Sequence, residues 1–358
     1  MKRILVTGAG GAPAANFVDS LRQADEPFHV VGVDVSPYHL ELAPVDARYL
    51  VPRLHDPAYL HALNAVIAAE QVDFLHPQPD QEVAYLARRS AELGARTYLP
   101  EADTVDLCQD KGALATCLRD AGLPVPALAV AESREALVSG AAAIVEQHGR
   151  AWVRARRGAG SRAALPVSTA EQVGPWADYW IRERGLREDD FMVTEFLPGR
   201  EYAFQSLWRD GELVTSGTRE RVAYLFGHLY PSGQSSSPSV ARTVRRPEVN
   251  DVAAAAVRAV DPAASGVFCV DLKEDANGRA LVTEINAGRF FTTSNFLARA
   301  GLNMPHLYVK LGLGEELPSL PATDAVEEGL YWVRMVDMGF KLVRDGEWTS
   351  TAADRLRS

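Results

Sequence analysis

GVFCVDLKEDANGRALVTEINAGRF, residues 266–290, is the stretch whose reading decides the fold. Two apolar runs flank Asn277-Gly278, the dipeptide of a tight hairpin turn. Each run carries acids or amides among apolar neighbours: Asp271 in the first, Glu284 and Asn286 in the second. Side chains alternate along a strand, so Glu284 and Asn286 point the same way, and the hairpin can bring Asp271 beside them. Three oxygen donors on two adjacent strands suit Mg²⁺ shared between a protein and nucleotide phosphates.

Upstream, MVTEFLPGREYAF (192–204) gives an apolar strand, Glu195, the apolar Phe196 and Leu197, a Pro198-Gly199 turn and Glu201. An adenine suits such a stretch: hinge backbone reads its edge, apolar side chains cover its faces, and the next carboxylate takes ribose hydroxyls. WVRARRGAGSRAALPV (152–167) sets Arg154 just before the small residues Gly158 to Ser161, whose freed N–H groups can wrap phosphate oxygens. A basic hairpin is the bland alternative. In DLCQDKGALATCLRDAGLPVP (106–126), Asp110 caps a helix that ends at Gly122 and Pro124, which places Lys111 in the first turn.

Ahead of these motifs, strand-like and helix-like segments alternate to about residue 105. KRILVTG, HVVGVDV, RYLVP, VDFLHPQ and RTYLP read as strands, and PAYLHALNAVIAAEQ and DQEVAYLARRSAELG as helices. Such alternation predicts a doubly wound parallel sheet. The opening VTGAGGAP, followed by Asp34, raises an NAD(P) reading. Pro13 and Ala14 stand where the third glycine of that fingerprint belongs, and none of the five lysines has a tyrosine four residues upstream, as a short-chain dehydrogenase requires. Residues 127–190 read as a small lid. GHLYPSGQSSSPSVARTVRRPEV (227–249) reads as a mobile loop. Arg219 and Arg221 either bind an acidic substrate or coat a strand; Asp80 and Glu82 either contact an amine or, the favoured reading, cap a helix.

Composition sets the outer limits. The 358 residues suffice for two or three modules, and 47% hydrophobic with 23% charged is ordinary for a globular chain. A net charge of −10 argues against nucleic acid as a partner. Three cysteines without a C-x-x-C pair fit a reducing, cytoplasmic setting. Ile4 to Val6 is too short a run for a secretory leader, and no stretch reaches the length of a membrane helix.

In this order and spacing the five motifs DKGALATCLRDAGLPVP, WVRARRGAGSRAALPV, TEFLPGREY, GVFCVDL and VTEINAGRF resemble the ATP-grasp superfamily, and most nearly its carbamoyl-phosphate-synthase-like branch. The resemblance spans about residues 1–310. It implies a Rossmann-like pre-ATP-grasp domain without a dinucleotide (1–105), a linker helix and α+β lid (106–190), and an α+β core with a C-terminal extension (191–358). It puts Lys111 and Arg154 on the ATP phosphates, Gly158, Gly160 and Ser161 in the loop closing over them, Glu195 and Leu197 at the adenine hinge, and Glu201 on the ribose. Asp271, Glu284 and Asn286 become the Mg²⁺ ligands. The usual E-x-N-P-R is here Glu284-Ile285-Asn286-Ala287-Gly288-Arg289, which displaces by one residue the arginine that steadies an acyl phosphate.

The implied activity is a stand-alone carboxylate–amine ligase that makes an amide through an acyl phosphate, releases ADP and phosphate, and takes a small acid and an amine. Homodimerisation is left open. The alternatives are phosphorylation of bicarbonate or carbamate, nucleotide binding without turnover, and the NAD(P) reading.

Overall fold

The hairpin at Asn277-Gly278 closes as its sequence dictates. Gly278 takes the left-handed φ of +77°, and β12 (Gly266–Glu274) pairs antiparallel with β13 (Ala280–Ala287). In the computed structural model, which describes residues 1–158, 160–235, 237–337 and 339–345, this hairpin forms one edge of a seven-stranded sheet. The order is β13-β12-β9-β10-β11-β14-β15, with β9 (Glu201–Arg209), β10 (Glu212–Tyr224), β11 (Pro238–Thr243), β14 (Leu330–Met335) and β15 (Gly339–Arg344).

The two faces of β9 show what that sheet separates. Tyr202, Phe204 and Trp208 are buried against α5 (Ala102–Gln109), α6 (Lys111–Asp120) and α9 (Pro247–Val260). Ala203 and Leu207 enter the opposite core, shared with Ile4, Phe17 and Phe74 of the N-terminal unit and with α10 (Asn295–Arg299) and α11 (Met304–Gly312). Strand alternation therefore aims Glu201 at the same side as the N-terminal unit.

That unit holds four parallel strands in the order β3-β2-β1-β4: β1 (Lys2–Thr7), β2 (Phe28–Asp34), β3 (Ala47–Leu50) and β4 (Phe74–His76). The connecting helices are α1 (Ala12–Arg22), α2 (Pro37–Leu40) and α3 (Tyr59–Glu70), with α4 (Asp80–Ala87) following β4. RTYLP, expected as a fifth strand, makes a single bridge, Arg96 to Phe74, because the chain turns there to pack Tyr98 and Leu99 on the central sheet. Gly10 donates to Asp34 and packs on the His39 backbone, and Gly8 lies against Pro79. The glycines thus serve close approach within the chain itself.

Residues between these units form a third sheet, β5-β8-β6-β7, from β5 (Leu128–Val130), β6 (Ala151–Ala155), β7 (Leu165–Val167) and β8 (Phe191–Glu195). It is backed by α7 (Arg134–His148) and α8 (Val173–Arg184). The chain enters on β5 and leaves on β8, and these are paired, with Glu195 N donating to Ala127 O at 2.9 Å. From Pro238 onward the segment expected as a mobile loop is more ordered than its polar composition predicts: β11 pairs with both β10 and β14, and α9 begins at Pro247. The buried Thr243 of β11 is satisfied on both sides, its hydroxyl donating to Glu327 O and accepting from Leu330 N.

Candidate active site

Pairing register maps the exposed end of the central sheet residue by residue. One row crosses it as Glu284, Asp271, Ala203 and Arg219 on β13, β12, β9 and β10. The next row on the same face reads Lys273, Glu201, Arg221, and the row on the other side Asn286, Cys269, Gln205, Gly217. From these rows Glu284, Asp271, Arg219, Lys273, Glu201, Arg221 and Asn286 line the floor of a cavity of ≈ 600 Å³ whose roof is the lid sheet and whose end wall includes Pro13, Gln78 and Asp80 of the N-terminal unit.

Lys111, Arg154, Gly160, Ser161, Glu195, Leu197, Glu201, Asp271, Glu284, Asn286 and Arg289 all line this cavity. Gly158 stands just behind, its carbonyl accepting from Lys111 Nζ at 2.9 Å. Ala159, within the expected phosphate loop, and residues 346–358 of the expected C-terminal extension lie outside the described residues. Gly158 and Gly160 hold φ of +92° and +81°, which explains glycine at both.

Two cations converge on Glu284: Arg154 Nη2 at 2.8 Å and Lys111 Nζ at 3.6 Å. Burial pushes the Glu284 carboxyl up, but Lys111, Arg154 and Arg289 overcome this and hold it below the usual range. Asp271 faces the reverse balance. Burial raises it, Arg221 at 2.6 Å pulls it down, and repulsion from Glu284 and Glu201 leaves it above its ordinary value. Burial likewise lowers the Lys111 ammonium against the pull of Glu284. Asp110 caps α6 through Gly112 N and Ala113 N and also grips Arg156 and Arg157, so it ties the lid loop to the helix that presents Lys111.

Among the described residues no three His, Cys, Asp or Glu side chains group as a metal centre. Two mutually repelling carboxylates with one amide nonetheless fit a divalent cation whose remaining ligands come from phosphate oxygens. Glu201 is held by Arg221 at 2.7 Å, Gln234 at 2.9 Å, Lys273 at 3.5 Å and the Tyr224 hydroxyl. Glu195 bonds Ala127 N and His148, beside a wall of Trp152, Met192, Phe196 and Leu197.

The extra residue before Arg289 is absorbed at Gly288. Its φ is +81°, and a Cβ there would sit 2.6 Å from Val83 Cγ1. Arg289 still enters the cavity, paired with Asp80 and Asn286. Asp80 is therefore no helix cap: its carboxylate leaves the α4 terminus to meet Arg289, and the cap position falls to Pro79.

Sequence reasoning left out Lys273, Tyr224, Gln234 and Trp152. Lys273, two residues after Asp271, was detectable by alternation; Gln234 reaches the cavity from a loop and gave no such signal. Arg219 and Arg221 both line the cavity. Burial lowers the Arg219 guanidinium to about 9, with Arg221 adding to the effect.

Two family models match different parts of the chain. Residues 187–331 match the family described as "ATP-grasp in the biosynthetic pathway with Ter operon", and residues 4–97 match "PylC-like, N-terminal domain". The chain belongs to the ATP-grasp superfamily. As an ATP-grasp enzyme it shares its fold with a Campylobacter jejuni biotin carboxylase in a β,γ-ATP complex, at TM-score 0.70 and 14% identity, over 92% of this chain and 74% of that one. The biotin carboxylase domain of a Hydrogenobacter thermophilus 2-oxoglutarate carboxylase, with MgADP and bicarbonate, gives TM-score 0.69 and 14% identity over 92% and 73%. An L-amino acid ligase from Bacillus licheniformis gives 0.67 and 13% over 93% and 79%. A comparison with curated protein sequences finds no match. Among the described residues no helix of this ATP-grasp enzyme is long and apolar enough to cross a membrane.

Proposed function

We propose that this ATP-grasp enzyme is an ADP-forming carboxylate–amine ligase, acting in a biosynthetic pathway of the kind its matching family is described by. The observation that carries the reading is the convergence of Lys111, Arg154 and Arg289 with the paired carboxylates Asp271 and Glu284 in one cavity.

Lys111 and Arg154 hold the nucleotide phosphates, Gly158, Gly160 and Ser161 close over them, and the apolar wall with Glu195 and Leu197 receives the base. Glu201 takes the ribose, positioned by Arg221 and Lys273. Asp271, Glu284 and Asn286 would hold Mg²⁺, which neutralises phosphate charge when bound. Arg289, fixed by Asp80, steadies the transferred phosphoryl group. A carboxylate oxygen of the acid attacks the γ-phosphorus and the bond to ADP breaks, leaving an acyl phosphate. The amine nitrogen then attacks the acyl carbon, loses a proton and expels inorganic phosphate, leaving an amide. No protein nucleophile is needed.

The fold shared with a bicarbonate-bound carboxylase domain favours one second reading, in which bicarbonate is the acceptor. An ADP-release screen of acids against amines separates the two, with hydroxylamine included to trap any acyl phosphate as a hydroxamate. Bicarbonate supporting turnover without another acid selects the second reading. With ¹⁸O in the acid's carboxylate, the ligase route sends one labelled oxygen into phosphate; AMP as product, or label only in the amide, overturns it.

A further inference from the structure

Among the described residues six cationic side chains line the cavity, and five of them meet a carboxylate. Lys111 and Arg154 meet Glu284, Arg221 meets Glu201 and Asp271, Lys273 meets Glu201, and Arg289 meets Asp80. Arg219 is the sixth. It is 1% exposed, and among the described residues no carboxylate pairs with it. Its Nη1 donates to Thr293 O at 3.0 Å, its Nε has no partner, and the rings of Phe291 and Phe296 stand over the guanidinium at 5.1 and 5.9 Å. The Thr293 hydroxyl, also at the cavity, is buried without a partner. A buried guanidinium with open donors is costly unless an anion meets it.

Position says which anion. Arg219 shares its row with Asp271 and Glu284 but lies two strands from Asp271, roughly 10 Å at ordinary strand spacing, and the residue between them is the small Ala203. A carboxylate undergoing phosphorylation must lie beside the phosphate held at Glu284 and Arg154. A group at Arg219 is therefore a second one, carried there along the cavity, which both Asp271 and Arg219 line, by the body of the substrate. We infer that the acid substrate carries a second anionic group, and that Arg219 with the Thr293 hydroxyl clamps it; the favoured substrate class is a dicarboxylate rather than a simple monoacid. This rests on the ligase reading above and adds to it the character of the acid.

The test titrates linear dicarboxylates of three to seven carbons, and monocarboxylates of matching length, into MgADP-loaded protein by calorimetry. The same acids are then incubated with Mg-ATP and hydroxylamine. At least one dicarboxylate should bind the parent about 30-fold or more tighter than its monoacid. Arg219→Gln should erase that preference, Arg219→Lys should keep part of it, and Thr293→Val should weaken it several-fold.

Equal binding of diacids and monoacids by the parent, binding of neither, or a preference that survives Arg219→Gln overturns the inference. If Arg219→Gln shows no cooperative unfolding transition, Arg219→Lys and Thr293→Val decide, and full retention of the preference in both overturns it. The two readings fail separately. Arg219-dependent diacid binding without hydroxamate sinks the ligase reading alone, whereas hydroxamate from monoacids without diacid preference sinks this inference alone.

Discussion

His76 ends β4 and is sealed where the N-terminal sheet meets the cavity. Phe17 stacks on the imidazole at 4.2 Å, Phe290 and Tyr308 meet it edge-on, and Nε2 lies 3.0 Å from Gln78 Oε1. Gln78 in turn donates to Phe290 O, in the segment that follows Arg289. Burial holds the ring neutral, with its pKa lowered from 6.5 to about 4.

Above pH 6.5 the folded and unfolded rings are both neutral and nothing depends on pH. As pH falls below 6.5 the unfolded chain takes up a proton that the folded chain refuses, so stability is lost until about pH 4, where both states are protonated. Those two values give a loss of about 2 kcal/mol between pH 7 and pH 5, and about 3 kcal/mol over the whole window. Carboxylates titrate in the same direction, so the measurement is a difference. Urea unfolding of the parent and of His76→Phe at both pH values should show the parent losing about 2 kcal/mol more than the variant. Parallel losses would show that His76 is not held neutral and that the joint is looser than its packing implies.

Lys111→Ala and Arg154→Ala should each weaken Mg-ATP binding by about 10-fold or more in calorimetry, since each removes a charge-assisted contact to phosphate. Glu284→Gln should lower turnover by about 100-fold or more while nucleotide affinity falls far less, because the metal matters most as charge builds on the transferred group; full activity would remove this carboxylate from the mechanism. Gly288→Ala should cost about 1–3 kcal/mol in chemical denaturation, from its positive φ and the encroachment on Val83.

What could be read without coordinates followed from local rules. Asn277-Gly278 and strand alternation placed Asp271 opposite Glu284, Asp110 announced α6, and the order of motifs announced three sheets. What escaped depended on partners distant in sequence. Asp80 looks like a helix cap until Arg289, more than two hundred residues on, is brought to it. RTYLP has strand composition, but its neighbours are tertiary. Arg219 and Arg221 sit two residues apart with the same chemistry, and only the register of β9 and β12 distinguishes the one paired with Glu201 and Asp271 from the one left open.

The adjacent entry and exit of the lid bear on how such an enzyme diversifies. Residues 127 and 195 meet as neighbours in one strand pair, so the whole stretch between them is an insertion with its ends side by side. Arg154, Gly158, Gly160 and Ser161 lie inside that insertion; Lys111, the paired carboxylates and Arg219 lie outside it. On the proposed reading, a foreign lid grafted at these two points would exchange part of the nucleotide site and leave the floor around Arg219 untouched. Nucleotide handling and acid choice would on that reading be separable modules, free to change at different rates.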